Sequence, residues 1–318
     1  MTAHVDRDRI VTFFPFLAGA LVLLQYFLVP NAQDAELTMV FPIFILLFMG
    51  FVMLLQVASW VNNGCYQFLR ERAAWYTAIF FCFLLIDFLT LKQGYLSLPM
   101  FPWPDRLLNE IILDRISLLD CAGNSLRLLF IGYFYGMAAG LITGILGGRS
   151  RRARYWIAPI LKALGPIPAV TWMAPFFVLS ASLFQGCVLM VAYSVWYPVA
   201  TGTMHAILQV NKAYGEVAKT LGATKEIQLV CHVTIPHIMP GIFQGLTSGM
   251  RAACASLMIA EMMGVESGLA WYMTWQRGWG NFTKMYTAVL VICVVFILVD
   301  TALGLLKKNV LRWQEAQK

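Results

Sequence analysis

Apolar residues run through this chain in eight blocks, near residues 11–30, 39–61, 74–92, 123–147, 156–180, 184–208, 238–264 and 285–306. About 20 apolar residues in helical conformation cross one bilayer, and in hydrocarbon a helix satisfies every backbone N–H and C=O within its own segment. The blocks therefore predict an all-α integral membrane protein of about eight transmembrane helices. No small-residue cleavage pattern follows the first block, which is read as a retained span.

The polar intervals between blocks carry patterns of their own. In "FPWPDRLLNEIILDRISLLD", Leu107, Leu108, Ile111, Ile112, Ile116 and Leu119 recur at helical spacing beside Asp and Arg. That pattern suits a helix lying in the membrane interface, or equally one packed on the protein's own surface. In "GLAWYMTWQRGWGNF" the tryptophans Trp271, Trp275 and Trp279 stand four apart, as in an interfacial aromatic belt, a gate or a docking surface. The longest polar interval, "EVAKTLGATKEIQLVCHVTIP" at 216–236, predicts two short helices, the first over 211–221. Gly222 supplies the reversal between them, because glycine enters left-handed conformations without a steric penalty. Ala218, one turn earlier, leaves room for another surface to approach. Pro236 suits the first turn of the next span. Such a knob fits a partner's groove, although a plain connecting loop has the same spacing.

Composition agrees with the blocks: 60% of residues are hydrophobic, 12% are charged and the mean hydropathy is +0.71. The formal charge of +7 could suggest nucleic acid, but the basic residues stand in short clusters between blocks, the signature of membrane topology. Arg7, Arg9, Arg70, Arg72, Arg149, Arg151, Arg152, Arg154, Lys212, Lys219, Lys225, Lys307, Lys308, Arg312 and Lys318 fall on one side. Lys92, Arg106, Arg115, Arg277 and Lys284 fall on the other. The positive-inside rule then expects both termini, and the 216–236 interval, in the cytoplasm. The 7 cysteines are scattered without a C-x-x-C pair, as small packing residues are. None of the 4 histidines forms an H-x-x-x-H pair on a span, so metal-dependent catalysis lacks support.

Breakers and ionisable residues inside blocks mark candidate functional positions. The fifth block carries Gly165, Pro166, Pro168 and Pro175, and non-helical backbone at membrane depth is tolerated only against protein or a water-filled cavity. "GPIPAVTWMAP" is therefore expected to border a translocation cavity. Thr171 and Trp172, with Tyr193, Tyr197 and Thr201 of the next block, would offer hydroxyls and aromatic faces to a small polar solute. Arg251 and Glu261, ten residues apart in the seventh block, either line the same pathway or pair with core neighbours. Arg127 and Lys162 are expected to snorkel from span ends, and Asp300 to meet the basic C-terminal segment. Gly136, Gly140 and Gly144 repeat every fourth position, which permits close helix contact.

The stretch "EVAKTLGATKEIQLVCHVTIPHIMPGI" resembles the coupling loop of permease subunits of ATP-binding-cassette importers, with Glu216, Ala218, Gly222 and Pro236 on matching positions. "FPWPDRL", "NSLRLLFIGYFYGMAAGLITGILGG", "PILKALGPIPAVTWMAPFFVL", "GLTSGMRAACASLMIAEMMGVESGLAW" and "VDTALGLLKKNVLRW" extend the resemblance over roughly 97–313. It runs closest to the nitrate, sulfonate, taurine and bicarbonate branch, which includes carriers of thiamine-precursor pyrimidines. Gly222 to Pro236 is one residue longer than the family spacing. The resemblance implies a type I importer permease core at 73–318, with coupling loop 211–236, preceded by an accessory transmembrane hairpin at 1–72. It implies Glu216, Ala218, Gly222, Lys225 and Pro236 as the residues that meet an ATPase. Two ATPase copies, an extracytoplasmic solute-binding protein and a second permease copy would complete the assembly in a bacterial-type inner membrane. No G-x-x-x-x-G-K-[ST] loop is present in this chain, so ATP–Mg is expected on the partner ATPase and no cofactor here. An ion-gradient-driven secondary transporter is the alternative, and it would call for an inverted internal repeat, of which the two halves give no convincing sign.

Overall fold

The computed structural model describes residues 12–32, 37–61, 63–211, 213 and 234–315, and all regular structure among them is helical. In chain order the helices are α1 (Phe14–Leu28), α2 (Val40–Val61), α3 (Asn63–Asp87, continued by a π-turn over Phe88–Lys92), α4 (Pro104–Leu113) and α5 (Arg115–Arg149). There follow α6 (Arg151–Leu164), α7 (Met173–Leu179), α8 (Leu183–Leu208), α9 (Ile235–Gly264), α10 (Leu269–Gly278), α11 (Phe282–Val310) and α12 (Arg312–Glu315). Among the described residues 5 helices are long and apolar enough to cross a membrane, and up to 7 if two bent pairs each count as one span. Those pairs are Arg151–Leu164 with Ala169–Leu179, bent by 98°, and Ile235–Gly264 with Leu269–Gly278, bent by 48°. The shorter apolar helix α1 accounts for the remaining block.

The chain divides into two compact units: Met1–Ile116 with Trp275–Thr287, and Ser117–Thr274 with Ala288–Lys318. In the first, α1, α2 and α3 close around Val22, Tyr26, Phe41, Ile45, Met49, Phe80 and Leu91. Its polar ties cluster where α1 ends and α2 begins. Lys92 was expected as a loop cation, yet the π-turn carries it under α1, where its Nζ donates to Tyr26 O (2.7 Å), Val29 O (2.8 Å) and Asn31 Oδ1 (2.8 Å). An ammonium on the last carbonyls of a helix satisfies acceptors that have no partner in their own turn and complements the helix dipole. At the start of α2 the buried Asp105 does the converse, accepting from Phe41 N (2.9 Å), Thr38 N (2.7 Å) and Thr38 Oγ1 (2.9 Å). Asp87 accepts from Gln25 Nε2 at 3.1 Å. Replacing Lys92 with methionine strands these acceptors at about 1–3 kcal/mol for each one that water cannot reach. A clear fall in the midpoint of thermal unfolding in detergent is expected, whereas Lys162→Met, at an exposed position, should leave it unchanged.

Helix α4 is anchored through its polar side: Lys284 Nζ meets Asp114 Oδ2 at 3.0 Å and Glu110 Oε1 at 3.6 Å, and Thr287 Oγ1 donates to Leu107 O. Ile112 and Leu113 stay exposed, while Leu107 and Ile111 are half-buried and Leu108 packs on the core of this unit. Trp275 and Trp279 are also exposed, their rings edge to face at 6.1 Å.

The second unit is organised about α8, which lies between two glycine faces. On α5, Gly132, Gly136, Gly140, Gly144 and Gly148 oppose Val191, Val195, Val199, Thr203 and Ile207, so both rows advance by four residues. A methyl group at Gly140 would sit 2.7 Å from Val199 Cβ, and one at Gly144 2.7 Å from Thr203 Cβ. On α9, Gly241, Gly245 and Gly249 oppose Ala206, Pro198 and Val195. Without a hydrophobic drive between helices in lipid, close backbone approach of this kind supplies the van der Waals energy of association.

Candidate functional site: a cavity at the broken helix

Helix α6 stops at Leu164 because Gly165, Pro166 and Pro168 follow: each proline lacks an N–H and clashes with the preceding turn. The chain then makes a 3₁₀ turn over Ala169–Trp172 before α7. The carbonyl of Leu164 is met by Tyr193 of α8, whose hydroxyl donates to it at 2.9 Å. Tyr197 packs its ring against Gly165, where any side chain would overlap the ring. Trp172 and Phe176 stand beside Tyr193, with ring centroids 5.9 Å away in both cases, and Tyr193 in turn touches Trp196 at 6.1 Å. The break is thus held by an aromatic ladder rather than left loose.

Between this break, α8 and α9 lies a cavity of about 380 Å³. Its walls are Gly165, Ile167, Pro168 and Ala169 from the break, Tyr193, Ser194 and Tyr197 from α8, and Ser248, Ala252, Ala255 and Ser256 from α9. Hydroxyls and backbone furnish its polarity, and none of these residues carries a formal charge. The surface can therefore hydrogen-bond a small polar solute without a fixed counter-ion.

Of the residues expected around the pathway, Tyr193 and Tyr197 line this cavity. Thr171 is exposed and Trp172 half-buried beside it, and neither is among the lining residues. Thr201 lies one turn beyond Tyr197 and its hydroxyl donates to the Tyr197 carbonyl at 2.8 Å. Arg251 points elsewhere: its Nε meets Asp300 Oδ1 at 3.2 Å beside a separate hollow of about 320 Å³ lined by Met250, Cys254 and Phe296. Asp300 is thereby engaged by Arg251 rather than by the basic C-terminal segment. Glu261 is 2% exposed and accepts from Ala270 N at 2.9 Å, while Ser125 Oγ accepts from Leu269 N at 2.9 Å. Two side chains thus cap α10 across the bend that follows α9. Gly268, at φ +136, completes the bend: a Cβ there would lie 2.5 Å from the Glu261 carboxyl carbon. In this arrangement Glu261 faces the cap and not the cavity. Gly268→Ala is accordingly expected to lower the yield of dispersed, folded protein, by strain at a positive φ and by collision with Glu261. Gly278→Ala, with open space around it, should be silent by size-exclusion chromatography. Glu216, Ala218, Gly222 and Lys225 lie outside the described residues, and Pro236 occupies the first turn of α9.

Sequence reasoning missed Ser194, Ser248 and Ser256. A signal existed for the last two, since Ser248, Ala252, Ala255 and Ser256 form one face of small residues at helical spacing.

Comparison with known proteins decides what kind of machine this is. The sequence pattern of the binding-protein-dependent transport system inner membrane component matches residues 136–312, more than half of the chain. The chain belongs to this family. As an inner membrane component it is a permease subunit of an ATP-driven importer, with the ATPase and the binding protein on separate polypeptides. Its similarity to a Bacillus subtilis (strain 168) protein that carries the name aliphatic sulfonates transport permease protein SsuC is 27% identity over 58% of this chain and 67% of that one. The formylaminopyrimidine transport permease protein ThiX of Halalkalibacterium halodurans is 24% identical over 61% of this chain and 77% of its own. The nitrate import permease protein NrtB of Synechococcus elongatus is 23% identical over 55% and 64%. Among solved structures, an inward-facing MetNI methionine ABC transporter has a chain that superposes with a TM-score of 0.52 at 20% identity, covering 62% of this permease and 97% of that chain. That likeness is one of fold. Nothing in the family match supports the gradient-driven alternative.

Proposed function

We propose that this permease passes a small polar solute along the cavity beside the α6–α7 break, in a dimer with a second copy of itself. The observation that carries the proposal is the irregular backbone between α6 and α7, inside an apolar block long enough to span, facing a hydroxyl-lined cavity that would shelter it from hydrocarbon. The solute belongs to the class of small anions or heterocycles that the relatives' names carry: a sulfonate, nitrate, bicarbonate, or a pyrimidine precursor of thiamine. Both termini lie in the cytoplasm, as the clustering of basic residues argues. Loop 211–236 docks on the ATPase, one ATPase copy for each permease copy, and ATP–Mg stays on that partner. An accessory transmembrane hairpin at 1–72 precedes a permease core at 73–318, which contains the whole of the family match at 136–312.

Cysteine accessibility tests the pathway. In a chain whose 7 native cysteines are replaced, Ser248→Cys and Ser256→Cys should react with a membrane-impermeant thiol reagent, and a bulky adduct there should abolish uptake. Ser125→Cys, at the buried cap, should stay unreactive. Cysteines at 248 and 256 that remain unlabelled in both the resting and the ATP-bound complex would remove the cavity from the pathway.

A further inference from the structure

Helix α9 carries two unlike faces between its start and the cavity. One is the glycine face that closes on α8. Beside it, the residues left exposed from His237 to Ala255 are His237, Gln244, Arg251 and Ala255. The first three stand seven apart, and Ser248 and Ala255 follow Gln244 and Arg251 by four, so all five fall in one stripe that drifts by only about 20° per heptad. At 1.5 Å per residue the stripe is about 27 Å long, close to the hydrocarbon thickness of a bilayer. Ser248 and Ala255 are walls of the cavity at the broken helix. His237, at the other end, directly follows Pro236, where the 211–236 interval joins the span.

Polar side chains on a spanning helix can meet lipid, protein or water. Lipid is ruled out by cost, since an ionisable residue within a span faces protein or a water-filled space. Arg251 and Asp300 remain 70% and 47% exposed in the single chain even with their own bond made, Nε to Oδ1 at 3.2 Å. A close protein contact would resemble the neighbouring face of the same helix. There Gly241, Gly245 and Gly249 bring backbone against Ala206, Pro198 and Val195, and no side chain stands between the helices. The stripe instead carries His, Gln and Arg, long side chains with several hydrogen-bonding atoms each, which would hold a neighbouring helix away. Water suits them, and there is room for it: the hollow of about 320 Å³ beside Arg251 and Asp300 flanks the stripe, and the cavity of about 380 Å³ meets its inner end.

We propose that this stripe is the water-lined inward limb of the route, along which a solute leaving the cavity reaches the cytoplasm beside the coupling loop. Gln244 hydrogen-bonds the solute between the Arg251–Asp300 pair and the exit at His237. Because Arg251 and Asp300 neutralise each other, the limb selects for polarity and not for one sign of charge. The proposal rests on the cavity reading given above and adds to it a direction and residues outside the cavity wall.

The test labels cysteines in the permease–ATPase complex, in inside-out membrane vesicles so that the cytoplasmic face meets the reagent. In the chain whose 7 native cysteines are replaced, Gln244→Cys and Ala255→Cys are compared with Val294→Cys and Leu298→Cys, positions also exposed in the single chain but on an apolar face of α11. With a charged, membrane-impermeant maleimide, positions 244 and 255 should label at least about tenfold faster than 294 and 298, because a thiol ionises in water and not in hydrocarbon. Trapping the complex with ATP and orthovanadate, which holds the ATPases closed and turns the cavity outward, should slow position 244 by a similar factor. Labelling of 244 no faster than of 294 and 298 overturns the proposal. So does labelling that trapping leaves unchanged, which would put Gln244 on a permanently wet surface. Rapid disulfide formation at position 244 between two copies, with the reagent excluded, overturns it as well by making the stripe a contact between copies. Ser248→Cys and Ser256→Cys separate this outcome from the cavity's: if they react and 244 does not, the inward limb fails alone, whereas silence at all three removes the cavity from the pathway too.

Discussion

Leucine at Gly136 or Gly245 should leave no folded, dispersed permease. A Cβ at Gly136 would press on the carbonyl of Ala192 and lie 2.7 Å from Val195 Cβ; at Gly245 it would lie 2.9 Å from Pro198 O and 3.2 Å from Val199 Cα. These obstacles are backbone atoms and a β-branched stem, which cannot swing aside as the end of a long side chain can. Accommodating the side chain means prising two helices apart along their length. Overpacking an ordinary core costs about 1–3 kcal/mol, and a helix pair whose association rests on close approach has little else to compensate. The expected result is aggregated or proteolysed protein in size-exclusion chromatography of a fluorescent fusion. Gly304→Leu on α11, with nothing within 4 Å, should elute as wild type. A normal profile for Gly136→Leu would mean that α5 and α8 do not meet along this face in the membrane.

The apolar helices were legible because a bilayer imposes one length and one chemistry on every span, and the structure holds 5 such helices, or up to 7 with the two bent pairs, among the described residues. The break after α6 was legible for a similar reason: proline and glycine act on their own backbone, wherever the rest of the chain lies. Gly136, Gly140 and Gly144 announced a contact face through their period. Their partners did not show, because Val191, Val195 and Val199 look like any buried valines until the pairing of α5 with α8 is known. Asp105 capping α2, more than 60 residues away, and Lys92 capping α1 were illegible for the same reason. Local sequence states what a charged side chain can donate or accept, but the terminus it reaches is chosen by tertiary packing. Glu261 shows the ambiguity most plainly. An acid in a span indicates either a pathway or a satisfied structural bond, and only the conformation of Gly268–Ala270 reveals the amide that occupies it.

Glu216→Arg and Gly222→Arg should each reduce ATP-driven uptake to background while permease in the membrane stays at the wild-type level. The reasoning joins sequence to packing. The interval that holds these residues connects α8 directly to α9, and those two helices supply Tyr193, Tyr197, Ser248 and Ser256 to the cavity wall. They lie on each other through Gly202 and Gly245 with backbone nearly in contact, so a displacement at their shared end has no soft side-chain layer in which to dissipate. An ATPase that grips this loop would therefore move the cavity wall itself. Reversing the charge of Glu216 removes the acid expected to meet a basic residue of the ATPase. A long side chain at Gly222 would oppose the turn that the sequence predicts there and fill the space expected for close approach. The ATPase should be lost from affinity-purified complexes of both variants, and hydrolysis should no longer respond to binding protein. If either variant retains the ATPase but not uptake, the loop transmits motion without providing the grip, and the docking surface must be sought on another cytoplasmic segment. If both retain uptake, the loop only links α8 to α9.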